Sequence, residues 1–160
     1  MRLSLRYSGV MTTILLTGSS RGIGAAAKAS LEARGAKVIG QATSSKAVDT
    51  VPADFCEPSA PHELWEAALA RTGGEIDVLI NNAGLFDPNP LDRSDIEWLD
   101  AWEDTMRINL TASAQLSRFA VRHWQERGFP GRIVHVASRA GHRGDSPAHW
   151  HYAASKGGML

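Results

Sequence analysis

The chain has one cysteine, no net charge and no long apolar run, and each of these shortages excludes a class of protein. A single cysteine, Cys56, cannot build an internal disulfide framework and is typical of a reducing compartment. The 17 Lys and Arg residues balance 17 Asp and Glu residues, which disfavours a general binder of nucleic acid or of anionic membrane. No stretch approaches the roughly 18 to 20 apolar residues of a membrane-spanning helix. We therefore expect a cytoplasmic protein with neither nucleic acid nor membrane as a partner.

What is present fits one ordinary folded domain. Hydrophobic residues make up 43% of the 160 positions, which is enough to build a buried core. Residues 1–10 contain two arginines but no uninterrupted apolar segment, so they are a poor signal peptide. We predict a flexible extension over residues 1–10 and a single domain over residues 11–160.

Short apolar runs alternate with helical segments along this domain. The runs cover residues 14–16, 38–39, 76–80 and 133–136. Runs of this length without strict alternation are typical of parallel strands covered on both faces. Helices are predicted over residues 22–34, 61–71 and 95–127. This order predicts an α/β fold with a doubly wound parallel sheet.

The longest predicted helix carries two further signals. Ser94 and Glu97 are three residues apart, as in a capping box, and Gly128 follows the last helical residue. Apolar residues recur mostly at intervals of three or four and predict an apolar stripe. The stripe consists of Ile96, Leu99, Trp102, Met106, Leu110, Ala114, Val121 and Trp124.

A glycine-rich turn joins the first predicted strand to the first helix. Gly18, Gly22 and Gly24 lie where a backbone without Cβ atoms can approach a ligand and helix N–H groups can point at a pyrophosphate. Their spacing, G-x-x-x-G-x-G, differs from the commoner G-x-G-x-x-G pattern of dinucleotide sites. Glycines that merely permit tight packing are the alternative interpretation.

Tyr152 and Lys156 are separated by one helical turn, which places them on one helix face. A phenol with a pKa of about 10 is a weak base at neutral pH, but a nearby ammonium favours its phenolate. Such a pair can move the proton that must accompany hydride transfer to or from a carbon bearing oxygen. A solvated surface pair is the alternative.

Five motifs follow one another in the order seen in the short-chain dehydrogenase/reductase family, which the chain resembles from residue 11 to residue 160. They are Thr17-Gly18-x-x-x-Gly22-Ile23-Gly24, Asn81-Asn82-Ala83-Gly84, Asn109, Ser138 and Tyr152-x-x-x-Lys156. The resemblance implies a Rossmann-like three-layer fold and an oxidoreductase that acts on a small-molecule carbonyl or secondary alcohol. Complete family members continue past Lys156 with two more strands and a loop over the substrate, so we expect this chain to be an N-terminal portion. Family members usually form homo-oligomers through the long helix and the Tyr/Lys helix, and we expect the portion to assemble less well.

The resemblance also implies roles for individual residues. Tyr152 would be the acid/base, Lys156 its electrostatic partner, Ser138 the group that holds the substrate oxygen, and Asn109 the support of a water-linked proton relay. Lys156 would also bind the nicotinamide ribose. The implied cofactor-binding residues are Gly18, Ser20, Arg21, Gly22, Ile23, Gly24, Thr43, Ser44, Asp54, Asn82, Ala83, Gly84, Tyr152 and Lys156.

The end of the second predicted strand favours NADP over NAD. NAD enzymes usually place a carboxylate there for the ribose 2′-hydroxyl, but residues 40–45 contain none. Arg21 matches a position where NADP users of the family often carry a base, and Thr43 and Ser44 can donate to a phosphate. A solvated surface charge is the alternative for Arg21. For Asp54 the alternatives are contact with the adenine ring and a turn before Phe55.

Other readings of the chain carry less weight. His142, His149 and His151 lack cysteine partners at the spacing of a structural zinc site, so we predict no metal and expect a loop beside the substrate entrance. Two functional alternatives remain beside the oxidoreductase. One is a dinucleotide-binding module without catalysis, and the other is an interaction protein that keeps only the fold.

Overall fold

The computed structural model describes residues 11–44 and 47–160, so the predicted extension over residues 1–10 lies outside the described residues. Five parallel strands form one sheet in the order β3-β2-β1-β4-β5. They are β1 (Thr13–Leu16), β2 (Lys37–Ala42), β3 (Thr50–Pro52), β4 (Val78–Asn81) and β5 (Arg132–His135). The register pairs Leu16 of β1 with Gly40 on one side and with Ile80 on the other.

Helices connect β1 to β2, β3 to β4 and β4 to β5, whereas the described residues between β2 and β3 contain no helix. The helices are α1 (Gly22–Glu32), α2 (Ala60–Thr72), α3 (Asp95–Met106), α4 (Ala112–Arg127), α5 (Ala140–Arg143) and α6 (Trp150–Met159), with a π-helical turn (Arg107–Thr111) that joins α3 to α4. The predicted capping box is present, since Ser94 Oγ accepts from Glu97 N and the Glu97 carboxylate accepts from Ser94 N. In the part of the chain that the structure describes, no helix has both the length and the apolarity to cross a membrane.

Apolar side chains cover both faces of the sheet. On one face Leu15 and Leu79 pack with Leu64 of α2 and Leu116 of α4 in the larger core cluster. On the other, a smaller cluster forms around Leu16 and packs against residues of α1. The prediction of a doubly wound parallel sheet is therefore confirmed. The predicted cover on both faces is wrong for β5, which lies at the sheet edge with Val134 46% exposed.

The predicted apolar stripe of the long helix is mostly wrong as a core face. Ile96 is 75% exposed, Leu99 49% and Val121 42%, whereas Trp124 is buried. The buried face is built instead from Thr105, Asn109, Ala112, Ser113, Leu116 and Ala120. Small side chains let the helix approach the sheet closely, and the π-helical turn shifts the helical phase midway along.

The strand order places a crevice at the carboxyl ends of β1 and β4. From β1 the chain first continues to β2 on one side and only later to β4 on the other. Such a switch point leaves the loops after the two central strands facing apart, and ligands of α/β sheets bind there. Both the glycine-rich turn and the Asn-Ala-Gly segment begin at this edge of the sheet.

Candidate active site

The glycine-rich turn approaches the Asn-Ala-Gly segment so closely that side chains are excluded. Gly18 has φ +65°, and a Cβ on it would lie 2.8 Å from Ala83 Cα. A Cβ on Gly24 would overlap the carbonyl oxygen of Gly18 and lie 2.6 Å from Asn82 Nδ2. These two positions therefore require glycine for the backbone packing around the turn.

Thr17 and Asn82 bind the two segments together. Thr17 Oγ1 accepts hydrogen bonds from the backbone N–H groups of Asn82 and Ala83, both at 2.9 Å. Asn82 Nδ2 donates to the carbonyl oxygens of Thr17 at 2.9 Å and Gly18 at 3.0 Å. The Asn-Ala-Gly segment thus supports the glycine-rich turn. Its composition alone indicates only a loop.

Gln41 holds the same turn from β2, and its role was not predicted from the sequence. Its side chain is buried, and Oε1 accepts from Gly18 N at 2.8 Å while Nε2 donates to the Ala53 carbonyl at 2.7 Å. Its own carbonyl accepts from Ser19 N at 2.8 Å. The only signal in the sequence is a long polar side chain that directly follows the apolar run Val38 to Gly40.

The first turn of α1 supplies free backbone donors at the mouth of the crevice. Arg21 is the N-cap residue and makes no side-chain capping bond, which leaves the first N–H groups of this helix available for an anion. The cleft in front of them has a volume of about 330 Å³. A cradle of this kind, which a Cβ on Gly24 would disturb, fits a dinucleotide pyrophosphate.

Most of the predicted cofactor-binding residues line this cleft. They are Gly18, Ser20, Arg21, Ile23, Gly24, Thr43, Asp54, Asn82, Ala83 and Gly84. Gly22, Ser44, Tyr152 and Lys156 are not among its lining residues, whereas Gln41, Ala42, Phe55, Leu85 and Ile108 are additional ones. Asp54 lines the cleft, and its Oδ1 accepts from Cys56 N at 3.0 Å, as expected of a turn. Its contact with an adenine ring stays a prediction.

Tyr152 and Lys156 lie together on α6. Lys156 Nζ is 5.8 Å from the centre of the Tyr152 ring. Lys156 is buried, and its Nζ donates to the Val136 carbonyl at 2.9 Å. Burial lowers the pKa of Lys156, because desolvation disfavours the ammonium. The arrangement places a cation directly beside the phenol ring.

Asn109 joins three parts of the site from within the π-helical turn. Its Oδ1 accepts from Leu85 N at 2.7 Å, and its Nδ2 donates to the Leu85 carbonyl and to Ser155 Oγ, both at 3.0 Å. Gly84 lies next to this contact. A Cβ on Gly84 would be 3.5 Å from Asn109 Oδ1 and 3.7 Å from Lys156 Nζ, so the glycine keeps open the space between these two polar groups.

Ser138 stands between β5 and α5, and the packing of α5 on α6 brings this loop toward the Tyr/Lys helix. Ser138 Oγ accepts from Ala140 N at 3.2 Å and the side chain is half-buried. A Cβ on Gly141 would lie 2.7 Å from the Lys156 carbonyl. This close approach of the two helices therefore depends on a glycine in α5.

Aromatic rings border Tyr152 on its other side. The Phe86 ring packs edge-on against Tyr152 with centres 4.6 Å apart and stacks on His149 at 4.1 Å. His149 was expected from the sequence to lie near the substrate entrance, whereas no motif indicated Phe86. Within residues 11–44 and 47–160 no group of three or more His, Cys, Asp or Glu side chains is arranged to hold a metal.

Cys56 is poorly suited to nucleophilic chemistry. Burial, and then the neighbouring Asp54 carboxylate, raise the pKa of its thiol. The thiolate is the reactive form of cysteine, so this environment suppresses the species that a catalytic cysteine needs.

Comparison with known proteins matches the short chain dehydrogenase family over residues 12–160. The chain is 36% identical over 156 residues to a 3-oxoacyl-(acyl-carrier-protein) reductase FabG of Haemophilus influenzae and covers 62% of that protein. It is 35% identical over 155 residues to the short chain dehydrogenase ausX of Penicillium brasilianum and covers 58% of it. The chain thus spans less than two thirds of the length of these curated relatives.

Solved structures show the same fold. A 4-hydroxyisoleucine dehydrogenase complexed with NADH superimposes with a TM-score of 0.81 at 28% identity, over 92% of this chain and 64% of that one. A short chain dehydrogenase from Mycobacterium smegmatis also has a TM-score of 0.81, at 27% identity, over 93% of this chain and 67% of that one. With a family match over nearly the whole sequence and the same architecture in space, the chain belongs to the short-chain dehydrogenase family of NAD(P)-dependent oxidoreductases.

Proposed function

We propose that the protein interconverts a carbonyl compound and a secondary alcohol with NADP(H), with Tyr152 as the acid/base. In the reductive direction the balance is RR′C=O + NADPH + H⁺ → RR′CHOH + NADP⁺. The observation that carries the proposal is Lys156 Nζ at 5.8 Å from the Tyr152 ring centre. The same Nζ would lie 3.7 Å from a Cβ on Gly84, a residue that lines the cleft. When bound, the nicotinamide supplies the hydride to the carbonyl carbon.

The chain's own residues manage the oxygen and its proton. Tyr152 Oη donates its proton to the substrate oxygen, and the electron pair of the C=O π bond forms the new O–H bond. The ammonium of Lys156 stabilises the phenolate that remains. Ser138 Oγ, which has both a donor and a free lone pair, holds the substrate oxygen during the transfer.

Asn109 supports the return of the proton to Tyr152. Its Nδ2 is engaged with Leu85 and Ser155, but Oδ1 accepts only one bond and has a second lone pair. The space beside Gly84 lies between this oxygen and Lys156 Nζ. A water held there would connect the two groups, which is the support that we assign to Asn109.

A preference for NADP is supported by the residues at the adenosine end of the cleft. Ala42 closes β2 where a carboxylate would bind a ribose 2′-hydroxyl, and Arg21 and Thr43 line the same cleft. We expect Arg21→Ala to raise the Kd of NADPH by about 10-fold, since one charge-assisted hydrogen bond is lost, and to leave the Kd of NADH unchanged. Arg34→Ala, in an exposed arginine just beyond α1, is the matched control.

Fluorescence titration with NADPH followed by turnover of a carbonyl panel tests the proposal. Wild type should bind and turn over. Tyr152→Phe should keep the Kd of NADPH within about twofold and lower kcat/KM by about 10²- to 10⁴-fold. Binding without any turnover in wild type would favour a dinucleotide-binding module, and no binding would leave only a shared fold.

Two further expectations concern the assembly and the location of the protein. We propose that it forms homo-oligomers through the long helix, which is supported by the exposed side chains of Ile96, Leu99 and Val121. Sedimentation analysis of wild type beside Leu99→Glu tests this, because a carboxylate at an apolar interface would dissociate the assembly. The cytoplasmic location stays a prediction.

A further inference from the structure

We propose that Phe86 and His149 form an aromatic wall that receives a flat, uncharged substituent of the substrate, so that the protein acts on aryl or conjugated carbonyl compounds. This inference rests on the proposed function, because it takes Tyr152 as the group that binds the reacting oxygen. The wall is defined by the Phe86 ring, its stack on His149 at 4.1 Å and its edge-on contact with Tyr152 at 4.6 Å.

The position of the wall relative to the chemistry follows from the Tyr152 contact. A substrate oxygen on Tyr152 Oη puts the carbonyl carbon and its two substituents within a few bond lengths of that hydroxyl. The Phe86 ring packs directly on the Tyr152 ring. One of the two substituents therefore lies beside Phe86.

Phe86 has a free surface at this position. Phe86 is 52% exposed as a residue although its ring already contacts two other rings. The preceding residue, Leu85, is held inward by the Asn109 amide. An apolar ring left half in water beside a reacting group gains most from a partner that is itself flat and apolar.

The wall is held rigidly before a substrate binds. Ser146 Oγ contacts His149 Nδ1 at 2.6 Å. Asn89, fully buried, donates through its backbone N–H to the Ala148 carbonyl at 2.7 Å and through Nδ2 to the Trp98 carbonyl at 2.9 Å. These bonds fix the Phe86 segment against the His149 segment, so little ordering is needed on binding.

Charge near the wall disfavours an anionic substituent. Asp87, directly after Phe86, is an exposed carboxylate. Arg93, in the same segment, donates to Asn89 Oδ1 at 3.3 Å. This bond directs the Arg93 guanidinium toward the buried Asn89 amide. An uncharged aryl group therefore suits the wall better than a carboxylate of an oxo acid.

The test compares acetophenone with cyclohexyl methyl ketone, which has the same carbon skeleton without the aromatic plane, and with levulinate, an anionic ketone. We expect wild type to favour acetophenone over the cyclohexyl ketone by about 10-fold in kcat/KM, the upper range for an aromatic pair contact. Phe86→Leu, which keeps an apolar side chain but removes the ring, should reduce this preference to less than about threefold. Phe129→Leu, in an exposed phenylalanine at the end of α4, should leave it unchanged.

The outcomes separate this inference from the proposed function. Turnover of all three ketones without an aryl preference, or a preference that survives Phe86→Leu, overturns the wall and leaves the oxidoreductase intact. If wild type turns over none of them, saturation-transfer NMR of acetophenone with the chain, with and without NADP⁺, decides. A signal that is lost in Phe86→Leu but kept in Phe129→Leu supports the wall even though the proposed function has failed. The absence of any signal with wild type overturns the wall.

Discussion

Asn109 and Leu85 form a reciprocal pair in which Leu85 N donates to Asn109 Oδ1 at 2.7 Å and Asn109 Nδ2 donates to the Leu85 carbonyl at 3.0 Å. The side-chain amide replaces the backbone partner that Leu85 would have in a sheet. The same Nδ2 also reaches Ser155 on α6. One buried side chain thereby joins the π-helical turn, the segment after Gly84 and the Tyr/Lys helix.

Asn109→Leu should strongly destabilise the protein. The substitution keeps the volume but leaves the Leu85 N–H and C=O without partners, and each buried unpaired group costs about 1 to 3 kcal/mol. We expect the free energy of unfolding to fall by about 2 to 4 kcal/mol in urea titrations. Gln125→Leu, at an exposed position of α4, should change it by less than about 0.5 kcal/mol. Equal stabilities of the two variants would contradict this role.

Gly24→Ala should damage the dinucleotide cradle as well as the fold. The new Cβ would meet the Gly18 carbonyl and lie 2.6 Å from Asn82 Nδ2, so the turn must move. Backbone amides that bind a pyrophosphate lose their alignment when the turn moves, and we expect the Kd of NADPH to rise by at least about 10-fold. The matched control is Ala29→Gly, an exposed site of the same helix that costs about 1 kcal/mol of helix stability without touching the turn. An unchanged Kd in Gly24→Ala would show that the turn is not the phosphate site.

Gln41→Met should weaken dinucleotide binding more than its loss of stability explains. Methionine has a similar shape but cannot accept from Gly18 N or donate to the Ala53 carbonyl. We expect the Kd of NADPH to rise by about 10-fold, because the glycine-rich turn is no longer held in place before binding.

Trp124→Phe provides the comparison for Gln41. This substitution also removes a buried hydrogen bond, the one that Trp124 Nε1 donates to the Ile76 carbonyl at 2.7 Å. That bond lies at the opposite end of the sheet from Gln41. The two variants should lose similar stability, and Trp124→Phe should keep the wild-type Kd. If both variants bind NADPH equally well, Gln41 has only a structural role.

Stability should fall on acidification through His151. Burial, the larger effect, lowers the pKa of His151 below the ordinary value of 6.5, although a hydrogen bond to the Asp87 backbone opposes the shift. Folded His151 therefore stays neutral at pH values where the unfolded chain takes up a proton. The unfolded state then binds more protons, and the free energy of unfolding decreases as the pH falls from 6.5 toward the lower pKa of the folded state.

Urea unfolding between pH 7 and pH 5 measures this effect. His151→Asn should reduce the slope of stability against pH by up to about 1.4 kcal/mol per pH unit, the limit for one proton. The variant should keep part of the wild-type slope, because burial also lowers the pKa values of His123 and His135. Identical slopes in wild type and His151→Asn would exclude His151 as a source of the pH dependence.

Features set by local backbone chemistry were predictable from the sequence. The glycines of the first turn, the capping box of Ser94 and Glu97, and the pairing of Tyr152 with Lys156 each depend on residues within one or two helical turns. Their conformations follow from sterics and helical periodicity alone. The doubly wound parallel sheet followed from the alternation of apolar runs with helical segments, whereas the strand order came only from the structure.

The core face of the long helix was not predictable in the same way. Ile96 and Val121 match a helical period but lie in solvent, whereas Ser113 and Ala120 pack toward the sheet. Periodicity identifies an amphipathic pattern but not the partner surface. Here the surface that the helix packs against accepts small side chains. The π-helical turn also rotates the buried face of one half of the helix relative to the other.

By itself, the sequence determined the fold class, the glycine-rich turn and the placement of Tyr152 and Lys156 on one helix, because these depend on short-range geometry and on motif order. Only the tertiary structure decided that Gln41 holds Gly18, that Asn109 binds Leu85, and that Phe86 lies between His149 and Tyr152. In these pairs, residues up to 66 positions apart meet. Their contacts arise from how the sheet and its helices pack, which no spacing along the chain encodes.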